Sequence, residues 1–154
     1  MGITGTFEGG ATDPCYIYNY GSFGAVLPNG FTSRASAPTN SGGSLTINGN
    51  TAVYPIISTS GINLTGYNYL KINVWASNYY SRCCTVVLKN NPSDTSNIFQ
   101  SSVYIGNETW VLAIYSIASI NQWVYLEISV YESRSNTVAS IPNNKISQIY
   151  LTTT

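Results

Sequence analysis

Short runs in which apolar and polar residues alternate, separated by Gly, Asn and Pro clusters, dominate this chain. The 3.6-residue spacing of an amphipathic helix is scarce. The clearest alternation is Tyr69 to Ala76 (YLKINVWA). There Leu70, Ile72, Val74 and Ala76 share one face, and Lys71, Asn73 and Trp75 the other. Cys15 to Tyr20 (CYIYNY) is aromatic and β-branched and stops at Gly21. Ser44 to Ile47 alternates and runs into Asn48-Gly49, a type I′ hairpin signal with Thr51 to Ser58 as the return strand. Pro55 inside that return strand points to an edge or a bulge. Thr85 to Lys89, Ile98 to Ile105, Thr109 to Ile117, Trp123 to Tyr131 and Ile146 to Thr152 complete the strands. Asn63 to Asn68 reads as a turn and Ser33 to Gly43 as a surface loop. Ser116 to Asn121 and Pro142 to Lys145 are the places where a single helical turn fits. About nine antiparallel strands at this spacing predict an all-β fold, a sandwich or jelly roll, with residues 1–154 as one domain.

Composition narrows the chemistry. Of 154 residues, 8% are charged, six basic against six acidic, where a globular average is about 25%. There is no histidine, which excludes a Ser-His-Asp or Cys-His dyad and the usual zinc sites. A net charge of zero without a basic run predicts no nucleic-acid partner. The longest apolar run, Trp110 to Tyr115, falls far short of the ~20 residues of a membrane span, so no membrane insertion is expected. Met1 to Gly5 has neither a basic region nor an apolar one, so no signal peptide is expected. Cys15, Cys83 and Cys84, an odd number with one adjacent pair, read as reduced thiols, with at most one bridge from Cys15 to the pair. That suits assembly in a reducing cytosol.

The acids are few. Glu127 and Glu132 share a predicted strand at an odd offset, which puts them on opposite faces, and Asp94 and Glu108 fall in turns. No pair with the facing geometry of a glycosidase is legible, and the chain reads as a non-enzyme. Glu8 and Asp13 flank a Gly-rich turn (EGGATD) that is either a structural calcium site or a solvated turn without metal. No organic cofactor is expected.

Aromatic and amide groups remain. Thirteen tyrosines and three tryptophans supply flat faces for sugar rings, and Asn, Gln and Arg supply partners for hydroxyls. Asn78, Tyr79, Tyr80 and Arg82 join two predicted strands in a loop and form the leading binding candidate; the alternative folds one Tyr onto the sandwich end. Trp75 is a second candidate if its sheet face is solvated, though the usual burial of Trp favours the core. Trp110 and Trp123 each open an apolar strand and are expected in core or rim. Tyr16, Tyr18 and Tyr20 fall on one face of the first strand at period two, a groove floor, a subunit interface or, more often at that period, half-buried packing. The sparse charge leaves sheet edges weakly protected, which oligomerisation would relieve.

Four segments resemble the galactose-binding-like jelly-roll domains associated with bacteriophage tails of Gram-positive hosts. They are Ile17-Tyr18-Asn19-Tyr20-Gly21, Ile62 to Lys71 (INLTGYNYLK), Trp123 to Ile128 (WVYLEI) and Ile146 to Leu151 (ISQIYL). Asn63 stands where the pattern more often has Asp. The resemblance implies a virion adhesion or tail accessory domain that touches host cell-surface polysaccharide. It also implies contact with other virion proteins, display in several copies, a homotrimer among the options, and a virion or extracellular location after assembly in the host cytoplasm. It supplies no site residues. A structural virion protein whose Tyr-rich faces are subunit interfaces is the alternative.

Overall fold

A computed structural model describes residues 12–33, 37–47, 55–76, 83–106, 108–131 and 144–154. The strands are β1 (Cys15–Asn19), β2 (Ser22–Phe23), β3 (Phe31–Ser33), β4 (Thr39–Ser41), β5 (Ser44–Ile47), β6 (Ile56–Ser58), β7 (Ile62–Asn63), β8 (Tyr69–Trp75), β9 (Cys83–Lys89), β10 (Phe99–Tyr104), β11 (Trp110–Ser116), β12 (Trp123–Tyr131) and β13 (Asn144–Thr152). Among the described residues there is no helix. Two antiparallel sheets form a sandwich. One runs β11-β8-β13-β1-β2, with β5 also on β13 and β4 on β5. The other runs β10-β9-β12-β6-β3, with β7 on β12. Each of the nine expected strands has a counterpart. The additional four, β2, β3, β4 and β7, are two or three residues long, too short to show a period.

The inward faces follow the alternation. Leu70, Ile72 and Val74 of β8 and Ile146, Ile149 and Leu151 of β13 face Cys84, Val86 and Leu88 of β9 and Leu126, Ile128 and Val130 of β12, all buried. Burying each large aliphatic side chain contributes roughly 1.5–3 kcal/mol. Tyr115 of β11 also points inward, and its hydroxyl donates to the Cys84 carbonyl at 2.6 Å, joining the two sheets. All three cysteines are free, with Cys83 and Cys84 buried and Cys15 half-buried.

Several expectations need correction. β5 and β6 do not form a hairpin: Ile47 pairs with Asn144 in one sheet, while Ile56 pairs with Ile128 and Ser33 in the other. Long-range pairing thus takes β5 and β6 into different sheets, and Asn48-Gly49 lies outside the described residues. Pro55 precedes β6, which is flanked on both sides, so it costs no ladder bond and marks no edge. The expected loop from Ser33 to Gly43 contains β4, whose three residues are all exposed and so carry no apolar alternation. At Ser116 to Asn121 the chain makes a β-turn, with the Ile120 N–H donating to the Ile117 carbonyl at 2.8 Å, not a helical turn. Asn144 and Lys145 belong to β13.

The tyrosine stripe of β1 also breaks. The register against β13 shifts between Tyr16 and Tyr18, a bulge that turns Tyr18 fully inward, 5.0 Å from the Phe23 ring, and leaves Tyr16 and Tyr20 outside. Gly24 holds this bulge closed. Its N–H donates to the Ile17 carbonyl at 2.9 Å, and a Cβ there would sit 1.9 Å from the Tyr16 oxygen.

Two outcomes follow. Gly24→Ala forces backbone apart at the bulge and destabilises the protein by at least about 2 kcal/mol in urea denaturation. Burial pushes the Cys84 thiol from its ordinary 9.0 up to about 12, and burial, with Cys84 second, raises the Tyr115 hydroxyl. Both hold their protons more tightly folded than unfolded. Their contribution is therefore intact below pH 9 and is lost as pH rises towards 12. Denaturation midpoints measured from pH 8 upward should fall steadily above about pH 9, and a flat profile would contradict the assignment.

Candidate binding groove on the outer face of the seven-stranded sheet

The face of this sheet that points away from the core is built in rows across its strands. Trp110 of β11 pairs with Trp75 of β8, which pairs with Lys145 of β13. Leu112 pairs with Asn73, and Asn73 with Gln148. Ile114 pairs with Lys71, Lys71 with Tyr150, and Tyr150 with Tyr16. Neighbouring strands lie about 4.8 Å apart, so each row is a continuous strip of side chains. Trp110, Leu112 and Ile114 are exposed at 45%, 43% and 48%. β11 is the edge strand, and its other face buries Ala113 and Tyr115. Both faces of β11 are thus largely apolar, and polarity alone could not reveal which one meets solvent.

A groove of about 410 Å³ opens in this face where the partners of β13 change. Residues 148–151 of β13 pair with β1, and residues 144–146 pair with β5. The ladder against β8 shifts between Ile146 and Gln148, leaving Ser147 in the gap. Tyr20 follows β1 at a positive φ of 44°, and its N–H donates to the Ser147 carbonyl at 2.8 Å. Tyr20, 61% exposed, stands on one side and Trp110 on the other. Asn73, Lys145 and Ser147 line the space between, and the Gly42-Gly43 turn joining β4 to β5 closes one end. Asn40 fixes that turn to β1. Its Nδ2 donates to the Gly21 carbonyl, and its Oδ1 accepts from the Tyr18 hydroxyl, both at 2.8 Å.

The polar groups are oriented. Asn73 Nδ2 donates to Ser147 Oγ at 2.7 Å. The Asn73 carbonyl oxygen is then an acceptor, and the Ser147 hydroxyl still has a hydrogen to donate. The Lys145 ammonium lies 5.3 Å from the Trp75 ring centroid, a cation–π contact. Beside the groove the Tyr16 and Tyr150 rings stand 5.4 Å apart. Burial, then the neighbouring Tyr16 and Tyr20, raises the Tyr150 hydroxyl above its usual value. Flat rings flanking an amide, a hydroxyl and an ammonium can stack a sugar ring and exchange hydrogen bonds with its hydroxyls.

The expected site residues fall as follows. Trp75 is half-buried on the outer face beside the groove, not in the core. Its strand neighbours there are half-buried too, so the face is solvated. Asn78, Tyr79, Tyr80 and Arg82 lie outside the described residues, as does Glu8. Trp110 and Trp123 (65% exposed) are surface residues, which excludes the core and leaves the rim of the two expected places. Asp13 accepts a hydrogen bond from the Thr153 hydroxyl. Among the described residues no three His, Cys, Asp or Glu side chains cluster as a metal site would require. Asn73, Trp110, Lys145 and Ser147 were not singled out as site residues from sequence, and Tyr20 only as part of the tyrosine stripe of β1. The bulges at Tyr16–Tyr18 and Ile146–Gln148 that bring them together leave no compositional mark.

A second cleft, of about 380 Å³, lies on the six-stranded sheet between β6, β12 and the loop after β9. Glu127 and Asp94 both line it, and both are engaged. Lys89 Nζ donates to Glu127 at 3.2 Å, and the Asn91 N–H donates to Asp94 at 3.0 Å.

No protein-family model matches the chain, and no curated protein matches it in sequence. Its fold is similar to those of several solved structures. A CBM4 structure is 14% identical, with 70% of this chain and 69% of that one covered and a TM-score of 0.43. The K2 cleaved adhesin domain of Lys-gingipain is 11% identical, with 83% of this chain and 92% of that one covered and a TM-score of 0.45. Neither gives a residue role to this chain. No helix among the described residues is long and apolar enough to cross a membrane.

Because Trp110 projects from an edge strand, its removal should scarcely touch the core. Trp110→Ser should change unfolding free energy by less than about 1 kcal/mol. Ile72→Ala, at a fully buried position, should cost about 2–5 kcal/mol in the same chemical denaturation series.

Proposed function

We propose that this chain is a non-catalytic carbohydrate-binding module, and that it serves as a receptor-binding or accessory domain of a phage tail contacting host-surface glycan. One observation carries the binding part: solvent-facing Tyr20 and Trp110 flank a groove lined by an amide, a hydroxyl and an ammonium. A neutral polyhydroxylated ring needs those groups and no titrating acid or nucleophile. The non-catalytic part is supported by the carboxylates of Glu127, on the opposite sheet, and Asp94, in the loop after β9, both held by fixed donors. The phage tail setting, and with it a virion or extracellular location, is supported by the four sequence segments that resemble tail-associated jelly rolls.

A second reading, a structural virion component, is favoured by β11 itself. This edge strand carries no charged residue and exposes Trp110, Leu112 and Ile114 in one line, which fits a subunit interface.

Isothermal titration with host cell-wall polysaccharide tests the first reading. Tyr20→Ala and Trp110→Ala should each weaken binding by about tenfold or more while the fold persists. Unchanged affinity in both variants would remove the groove from the binding site. Light scattering tests the second. A stable oligomer that Leu112→Glu dissociates would establish β11 as an interface, and a monomeric particle would exclude it.

A further inference from the structure

Charge separates this groove from a generic sugar platform. The seven strands of its sheet contain two lysines, Lys71 and Lys145, and neither an aspartate nor a glutamate. Lys145 lines the groove, and its ammonium is held over the Trp75 ring. Lys71 sits on the same outer face. Its ammonium donates to the Thr154 main-chain oxygen at 2.8 Å and lies 5.7 Å from the Tyr69 ring centroid. The one ion pair among the described residues, Lys89–Glu127, is on the opposite sheet. Asp13 is occupied by Thr153 and Asp94 by its own loop, and Glu108, in the turn before β11, does not line the groove. The Lys145 ammonium therefore faces the groove with no carboxylate among the described residues to neutralise it.

We infer that the groove selects acidic saccharides, sugars carrying a carboxylate or phosphate substituent. The anionic group meets the Lys145 ammonium while the ring stacks on Trp110 or Tyr20. This rests on the glycan-binding reading and adds a substrate class to it. A ring face shields one side of an ammonium and leaves N–H donors free on the other. A hydrogen bond from such a donor to an anion is about twice as strong as one to a neutral hydroxyl. Holding the ammonium on Trp75 also reduces the rotamer freedom a long side chain otherwise loses on binding. The sheet thus offers an anion a fixed cation with no competing carboxylate on any of its strands.

Matched polymers test this with the full chain: dextran, carboxymethyl-dextran and phosphorylated dextran, and the same three forms of galactan. The acidic forms should bind about tenfold more tightly than their neutral parents at low salt. The gap should narrow in about 0.5 M NaCl, where exposed charges are screened. Lys145→Gln should abolish the gap between acidic and neutral forms, whatever its effect on the neutral parent alone, and Lys145→Arg should preserve it. A melting curve on each variant confirms that the half-exposed position tolerates the change. Equal affinity for neutral and acidic forms overturns the charge selection and leaves the glycan reading standing. Binding to none of the six polymers, with host polysaccharide bound, confines recognition to another sugar backbone and overturns selection by charge alone. Binding to polyglutamate as tight as to the acidic polysaccharides overturns it as well, because the sugar ring would then contribute nothing. Comparing the carboxymethyl and phosphorylated arms identifies which anion the groove takes.

Discussion

A strand has only two edges, and β13 must serve three neighbours. β8 takes one edge along nearly its whole length. The other edge is divided, with residues 144–146 going to β5 and residues 148–151 to β1. Most of the seven-stranded sheet depends on this division. β5 and its partner β4 reach the sheet through the first part, and β1 and its partner β2 through the second. The register shift at Ser147 accommodates the change of partner. The groove is the gap that remains on the surface at that point. Its position is thus a consequence of hydrogen-bond accounting in the backbone, and the side chains that decorate it come from four different parts of the chain.

The same accounting explains what sequence could and could not reveal. Period-two alternation in Tyr69 to Ala76 correctly assigned each residue of β8 to a face, because that strand is regular and its two faces differ in polarity. β11 is regular too, but Trp-Val-Leu-Ala-Ile-Tyr is apolar at every position, so its period carries no information about which side is wet. In β1 the alternation was misleading. One extra residue at the bulge turned Tyr18 inward and left Tyr16 and Tyr20 outside, breaking the stripe that strict spacing implies. The expected pairing of β5 with β6 failed for a different reason. Local turn chemistry competes with pairing across the whole fold, and β5 and β6 each find partners in separate sheets. The residues lining the candidate groove were legible as types, namely aromatic and amide side chains with few charges, but not as a constellation, because partner changes and bulges assembled it.

Low charge has two faces in this molecule. It removes the lysine and glutamate that commonly discourage sheet edges from pairing with other chains, which leaves β11 uncovered. It also means that each remaining charge acts against little background. With no acid on any strand of the seven-stranded sheet, Lys145 sets the sign of the groove almost by itself. In a protein of average composition the same lysine would sit among compensating carboxylates.

The Gly42-Gly43 turn has an implication for how this surface can diversify. Gly42 has φ +63° and nothing within 4 Å of where a side chain would begin, whereas Asn40, two residues earlier, is clamped to Tyr18 and Gly21. The hairpin tip is therefore anchored at its base and sterically open at Gly42. Residues inserted at the crown would lengthen one end of the groove without disturbing either sheet. A longer tip would thus reshape that end of the groove and leave Tyr20 and Trp110 where they stand.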